Sequence, residues 1–388
     1  MKILFLTYYF EPDLCAGSFR NSSLFKEVIK KMKPEDSIEV VTTHPNRYDS
    51  YKVSAKSKDF FNNTAVINRI ELPNHRNGFL GQIKAFKLFY KNAFFITKNK
   101  DYDLVYASSS RLFTAFLGAK IAKKKQAKLY LDIRDIFKET ISDLYDNKLF
   151  KFVLVKFVGV VESYTFKKAN HINLVSEGFK SYFNKYKSCS FSFYTNGIDD
   201  VFINSDEKNT YKPNGIKKIL YAGNIGQSQG LSNILSNTAK ELEGKYEFIV
   251  IGDGGDKEKL ESTILDKRIN NIKIINPIKR GLLIEEYYKA DFLFLHLNFH
   301  KAFERVLPSK LFEYGAFDKP IIAGVSGYAA SFLNKNMSNL ILFKPGDYKT
   351  LILKLKLYEY KNEKREEFIV KFSRSNINEK MAVSILDL

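Results

Sequence analysis

The chain contains no tryptophan and only two cysteines, Cys15 and Cys189, among 388 residues. Two thiols cannot build a disulfide framework, which points to a reducing compartment. No apolar run reaches the roughly 20 residues that cross a bilayer. Residues 1–10 pass straight into a strand pattern, so neither a signal peptide nor a spanning helix is indicated. The five histidines, His44, His75, His171, His296 and His300, are scattered. His296 and His300 lie four apart but follow a strand, so they do not share a helix face suited to a metal. Cys/His fingers, a glycine-loop clamp and an aromatic ribonucleoprotein strand are all missing, which argues against nucleic acid as the partner.

What is present is globular: 45% hydrophobic, 15% aromatic and 27% charged residues, in a chain long enough for two domains. The net charge of +19 permits anionic partners such as phosphorylated substrates or an acidic membrane surface. The abundance of Lys, Ile, Asn, Phe and Tyr reads equally well as compositional bias.

Short apolar runs alternate with helical stretches. Lys2–Phe10, "SIEVVTT", Asp103–Ser109, Lys128–Asp135 and His171–Glu177 are strands of a first set, with helical spacing at Leu24, Val28 and Ile29. A polar linker, "NSDEKNTYKPNGI", precedes a second set: Lys217–Gly223, Tyr246–Gly254, Asn271–Asn276, Ala290–Leu297, Pro320–Gly324 and Asn339–Phe343. Buried strands separated by helices predict parallel sheets. The expected architecture is α/β: two doubly wound, Rossmann-like domains facing a cleft. Residues 1–200 form the first domain and 201–370 the second. Residues 371–388 form a C-terminal helix free to pack back on the first domain.

Ligands of such sheets bind beyond the carboxyl ends of the strands. After the first strand, Gly17 opens a helix and Arg20 follows one turn later. A turn glycine of this kind is either structural or lets a phosphate approach backbone N–H groups. Gly223, Gly226 and Gly230 follow the first strand of the second set, with spacing that is neither a dinucleotide fingerprint nor a P-loop. They fit a diphosphate loop or a plain tight connection. Gly252, Asp253 and Gly254 would admit a planar base, or form a glycine-rich turn. Asp132, Arg134 and Asp135 place three charges at the end of a buried strand, costly unless paired or used.

"YAGNIGQSQGL", "IGDGGDKEKLE", "YYKADFLFLHL" and "LPSKLFEYGAFDKPIIAG" occur in that order, with "DIRDIFKET" and "NGID" upstream. Together they resemble the bacterial glycosyltransferases of family 4, nearest the branch that transfers acetamido sugars in O-antigen or capsule assembly. The resemblance implies the GT-B fold, a retaining mechanism and no essential metal or other cofactor. It also implies a nucleotide-sugar donor, UDP-linked, held mainly by the second domain. Glu313 matches the carboxylate that binds the ribose hydroxyls. Gly223 and its neighbours match the diphosphate loop, Gly252 to Gly254 the region beside the base, and Gly17 the loop meeting the diphosphate across the cleft. The acceptor implied is a lipid-linked sugar at the inner face of the cytoplasmic membrane.

The chain also departs from the family pattern. Asn224 and Gln229 stand where many members carry Arg and Lys. The first of two glutamates eight positions apart would fall at Arg305, with Glu304 beside it. The usual active-site histidine of the first domain is absent, and Asp132, Arg134 and Asp135 occupy the matching strand end. Arg305 and Lys310, beside Ser309, are the cations expected to offset the missing ones. Asp132 or Asp135 is expected to orient the acceptor hydroxyl, with Arg134 fixing the carboxylate or meeting phosphate. Two rival readings remain open: a nucleotide-sugar 2-epimerase of the same fold, and a non-enzymatic basic protein binding nucleic acid or membrane.

Glu313 has two readings of its own. It either forms an exposed i,i+3 pair with Lys310, or it clamps a ribose. A separate basic aromatic helix, Gly78–Lys100, interleaves Phe79, Leu80, Ile83, Phe86, Phe89, Phe94 and Phe95 with Lys84, Lys87, Lys91 and Lys98. It is expected either to lie in an anionic interface or to be an ordinary core helix.

Overall fold

The structure, a computed structural model, describes residues 1–48, 53–61, 64–73, 79–109, 111–144, 148–203 and 215–388. Most of the linker read at 204–216, and Gly78 of the basic helix, lie outside the described residues. The chain divides into two compact units, Met1–Asn196 with Ser375–Leu388, and Gly197–Arg374.

The first unit comprises β1 (Lys2–Leu6), α1 (Ala16–Lys31), β2 (Ser37–Thr43), β3 (Lys58–Phe61), β4 (Ala65–Ile70), α2 (Phe79–Thr97), β5 (Leu104–Ser108), α3 (Leu112–Lys125), β6 (Lys128–Ile133), α4 (Phe137–Leu144), α5 (Lys148–Lys167), β7 (His171–Leu174), α6 (Lys180–Phe183) and β8 (Ser190–Ser192). Its sheet has the order β3-β4-β2-β1-β5-β6-β7-β8. All neighbouring strands run parallel except β3 against β4. The apolar strands read from the sequence are buried on both faces, as parallel strands covered by helices must be.

The second unit comprises α7 (Asp200–Ile203), β9 (Lys217–Asn224), α8 (Leu231–Glu241), β10 (Tyr246–Asp253), α9 (Lys257–Asp266), β11 (Ile272–Ile275), α10 (Arg280–Lys289), β12 (Phe292–His296), α11 (Lys310–Gly315), β13 (Ile321–Gly324), α12 (Gly327–Asn336), β14 (Leu340–Phe343), α13 (Tyr348–Leu357) and α14 (Glu366–Lys371). Its parallel sheet runs β11-β10-β9-β12-β13-β14. Numbered within the unit, that is the doubly wound order 3-2-1-4-5-6, whose direction reverses between β9 and β12.

The last helix, α15 (Arg374–Leu386), returns to the first unit. Met381, Ala382 and Ile385 are fully buried there, in one cluster with Phe5, Tyr106 and Tyr130. The chain crosses between units at two adjacent strands of backbone, where Ile198 pairs with Ser373. Gly197 is required at this point, because a Cβ would lie 2.6 Å from the Arg374 Cα. Asp199 of the same segment accepts from Arg374 Nε at 2.7 Å and also pairs with Arg280.

Candidate functional site

In the second unit the loops after β9, β10 and β12 meet where the sheet reverses. Tyr221 donates to the Asn224 carbonyl at 2.6 Å. Asn224 Nδ2 donates to Gln229 Oε1 at 3.0 Å. The two residues standing where relatives of this pattern carry cations are therefore bonded to each other. Ile225 N–H donates to the Asp253 carbonyl at 2.8 Å, and Asp256 N–H to the Ile225 carbonyl at 3.0 Å.

These contacts account for the glycines as tight backbone turns, one of the two readings open from the sequence. A Cβ on Gly252 would fall 1.8 Å from the Gly223 carbonyl oxygen, and one on Gly254 would fall 2.4 Å from that of Ile225. The close approach that requires glycine at 252 and 254 is that of the protein's own backbone. Gly226 packs against the Asn224 amide, where a Cβ would lie at 2.5 Å. Gly230, at φ +59, starts α8 in a conformation that favours glycine.

The spacing of His296, at the end of β12, from His300 does not suit a metal. Its geometry assigns it another task. Nδ1 donates to the Gln229 carbonyl at 2.6 Å, and Nε2 accepts from Gly346 N–H at 3.0 Å. One bond requires a protonated Nδ1 and the other an unprotonated Nε2, so this tautomer is neutral. Burial pushes its pKa down to about 4, against a smaller opposing effect from the Gln229 carbonyl. His296 thereby ties the loop after β9 to the loop after β14. Asn298 N–H adds a bond to the Ser228 carbonyl at 2.7 Å.

Helix α11 stands against this loop because Tyr314 accepts from Ala222 N–H of β9 at 3.2 Å. Lys310 Nζ lies 2.7 Å from Glu313 Oε2. Tyr287 of α10 donates to the same oxygen at 3.1 Å, and Lys310 donates to the Tyr287 hydroxyl at 3.3 Å. Glu313 is only 8% exposed, so the pair is not the solvated surface bridge of the simpler reading. Both of its bonds fall on Oε2. Burial alone would raise the carboxyl, but Lys310 and Arg280 outweigh it and hold its pKa below the ordinary value. Glu313 is thus an ionised carboxylate with one oxygen anchored, a geometry that leaves Oε1 for hydroxyl donors. Ser309 precedes α11 without capping it through its side chain. Arg305 is half-buried in the preceding 3₁₀ turn, and Glu304 is exposed beside it.

The first unit supplies the remaining candidates at the ends of β1 and β6. Gly17 is buried in the first turn of α1. Arg20 and Asp132, read as donor-binding and catalytic, saturate each other inside the core. Arg20 Nε and Nη2 donate to the two carboxylate oxygens at 2.8 and 2.9 Å. Its other donors meet the carbonyls of Tyr194 and Thr195 at 2.8 and 2.7 Å. Asp132 also accepts from Asn173 at 2.8 Å and Tyr106 at 3.2 Å. Burial opposes the charge on Asp132, but Arg20 outweighs it and lowers the pKa. This closed network fits a structural pair better than contact with a ligand. Arg134 is half-buried, with its backbone N–H on Ser109 Oγ at 2.9 Å. Asp135 reaches solvent, yet its crowded surroundings desolvate the carboxyl and push its pKa up to about 6 against the pull of Arg134. Among the described residues, no group of three or more His, Cys, Asp or Glu side chains is placed to hold a metal ion.

The two doubly wound units define the GT-B fold. Solved structures of similar fold include Anabaena HepE in complex with UDP and glucose, at 15% identity and a TM-score of 0.70, with 100% of each chain covered. Sucrose-phosphate synthase of Thermosynechococcus elongatus matches at 12% identity and 0.73, covering 100% of this chain and 98% of that one. The lipopolysaccharide outer core galactosyltransferase WaaB matches at 14% identity and 0.62, covering 99% of each chain.

Residues 203–372, nearly the whole second unit, match the family described as "Glycosyl transferases group 1". Over 99 residues the chain is 31% identical to the "Putative colanic acid biosynthesis glycosyl transferase WcaI" of Escherichia coli. That likeness spans 26% of this chain and 24% of the relative, about a quarter of each.

Proposed function

We propose that the protein is a metal-independent, retaining glycosyltransferase. It moves a sugar from a UDP-linked donor, an N-acetylated amino sugar in the sharper form of the reading, to a lipid-linked glycan during surface polysaccharide assembly, O-antigen or capsule. The reaction belongs in the cytoplasm, with the enzyme peripheral at the inner face of the membrane. Support comes from the family match over the unit that carries Glu313. The names of WcaI and WaaB, and the UDP held by HepE, point the same way.

The observation that carries the proposal is the anchored Glu313 carboxylate beside the loop after β9. Glu313 Oε1 accepts hydrogen bonds from ribose hydroxyls. The loop of Gly223, Asn224, Gly226 and Gln229, with Arg305 and the remaining N–H of Lys310, faces the diphosphate. In the transfer step the bond from the sugar carbon to the diphosphate oxygen breaks. The acceptor oxygen bonds to that carbon on the same face, and its proton passes to the leaving phosphate. Charge building on the diphosphate is what the preorganised donors and cations stabilise. Asp135 and Arg134 orient the acceptor, while Arg20 and Asp132 tie α1 to the carboxyl end of β6.

A panel of nucleotide sugars, incubated with and without EDTA and followed by the nucleotide released, tests this reading. The proposal expects UDP release that survives chelation. Turnover lost to EDTA and restored by Mn²⁺ or Mg²⁺ contradicts metal independence.

A further inference from the structure

Helix α5 is apolar on two faces. Its inner face buries Val158, Val161 and Phe166. Its outer face exposes Leu149 by 75%, Phe152 by 65%, Val153 by 59%, Phe157 by 53% and Val160 by 66%. The spacing is helical, so these side chains form one stripe along the axis. A helix apolar on both sides is normally covered on both sides, and a contiguous exposed stripe of this kind marks an interaction surface.

Helix α2 adds to the same surface. Its inner face is Ala85, Phe89, Ala93 and Thr97, which satisfies the ordinary core reading of that face. Its outer face exposes Ile83, Leu88 and Phe95 among Lys84, Lys87 and Lys91, with Lys98 just beyond its end. Helix α3 joins the two: Phe113 packs on Phe86 of α2 at 5.4 Å and on Phe157 of α5 at 6.2 Å between ring centroids.

Charge selects the occupant. The sequence of α2 contains no acidic residue, and the one acidic residue of α5, Glu162, is buried on its inner side. Within the two helices the other ionic side chains are lysines: Lys148, Lys151, Lys156 and Lys167 on α5, and Lys84, Lys87 and Lys91 on α2. The Lys156 ammonium lies 5.8 Å from the Phe152 ring centre. An apolar body rimmed by ammonium groups suits the boundary between acyl chains and anionic headgroups. A second copy would bring lysines against lysines.

We infer that the outer faces of α5 and α2 dock the protein on an anionic bilayer, with Phe152 and Phe157 entering the acyl boundary. The inference deepens the membrane partner proposed above and rests on that reading for its purpose, while the surface itself rests on the exposed stripe. The test is flotation of the full chain with phosphatidylglycerol-containing and pure phosphatidylcholine vesicles at low and high salt. The expected result is binding to the anionic vesicles only, weakened by salt. In the double variant Phe152→Ser, Phe157→Ser, partitioning should drop about tenfold or more, with an unchanged thermal melt and unchanged calorimetric UDP binding. Lys151→Glu, which leaves the apolar stripe intact, should also weaken it. Wild-type protein that ignores anionic vesicles, or a folded double variant that binds them as wild type does, overturns the inference. Concentration-dependent dimerisation abolished by the same double variant, without vesicle binding, would assign the face to a second copy instead. UDP binding in all three proteins reports separately on the donor site, so failure of one reading is not mistaken for failure of the other.

Discussion

Asn224 and Gln229 hydrogen-bond each other across the loop after β9, at 3.0 Å from Nδ2 to Oε1. The loop is closed by two neutral amides, and the proposed function assigns the cationic charge at the donor site to Arg305 and Lys310. A neutral hydrogen bond contributes about 0.5–1.5 kcal/mol, or roughly 2- to 13-fold. Gln229→Ala is expected to weaken UDP binding within that range, and Arg305→Ala to weaken it more. Isothermal calorimetry ranks the two. A larger loss from Gln229→Ala would contradict this division of labour.

His296 gives a stability prediction with a defined sign. Its pKa is about 4 in the folded chain against an ordinary 6.5. Between those values the unfolded chain binds the extra proton, so stability falls as pH falls. The contribution is complete above about 6.5 and amounts to about 2 kcal/mol lost by pH 5. Urea midpoints at pH 7 and pH 5 should therefore separate by less in His296→Gln than in wild type. Equal pH dependence in the two proteins would contradict a neutral, buried His296.

The Arg20–Asp132 pair predicts a structural phenotype. Removing one partner of a buried ion pair leaves the other uncompensated, at a cost of about 3–5 kcal/mol. Arg20→Ala and Asp132→Ala should both melt well below wild type. A wild-type melt with abolished turnover in Asp132→Ala would return Asp132 to the catalytic role suggested by its sequence position.

Much of the fold was legible locally. The buried runs at β1, β2, β5, β6, β7 and β9 to β14 announce themselves as apolar segments between helical stretches. The hairpin of β3 and β4 does not. β3 is an exposed edge strand whose pairing is antiparallel, and its four residues carry no continuous apolar run. β8 is only three residues long and half-exposed. The site was legible to the same degree. Lys310 and Glu313 lie within one helix turn of each other, so their pairing follows from spacing. Arg20 and Asp132 are 112 residues apart, and only the finished sheet brings them together. Tyr287, which anchors Glu313, comes from another helix, 26 residues upstream. His296 carried no pattern beyond its place at a strand end, where its two loop partners are invisible.

Asp135 predicts a pH limb. Its carboxyl, pushed up to about 6, is ionised above that value and protonated below it. If it orients the acceptor hydroxyl as carboxylate, transfer should decline as pH falls through about 6, and Asp135→Asn should be slow with that limb flattened. Initial rates with saturating donor measure both. A wild-type pH profile in an active Asp135→Asn removes the residue from the reaction.

The central claim concerns Glu313. Calorimetric titration with UDP of wild type, Glu313→Gln and Glu313→Ala, alongside their thermal melts, tests it most directly. Hydrogen bonds to a charged group contribute roughly 1.5–3 kcal/mol. The account predicts that Glu313→Ala loses about 10- to 150-fold in UDP affinity, that Glu313→Gln loses part of this, and that both variants remain folded. Wild-type UDP affinity in a well-folded Glu313→Ala would contradict it and leave Glu313 only its pairing with Lys310 and Tyr287.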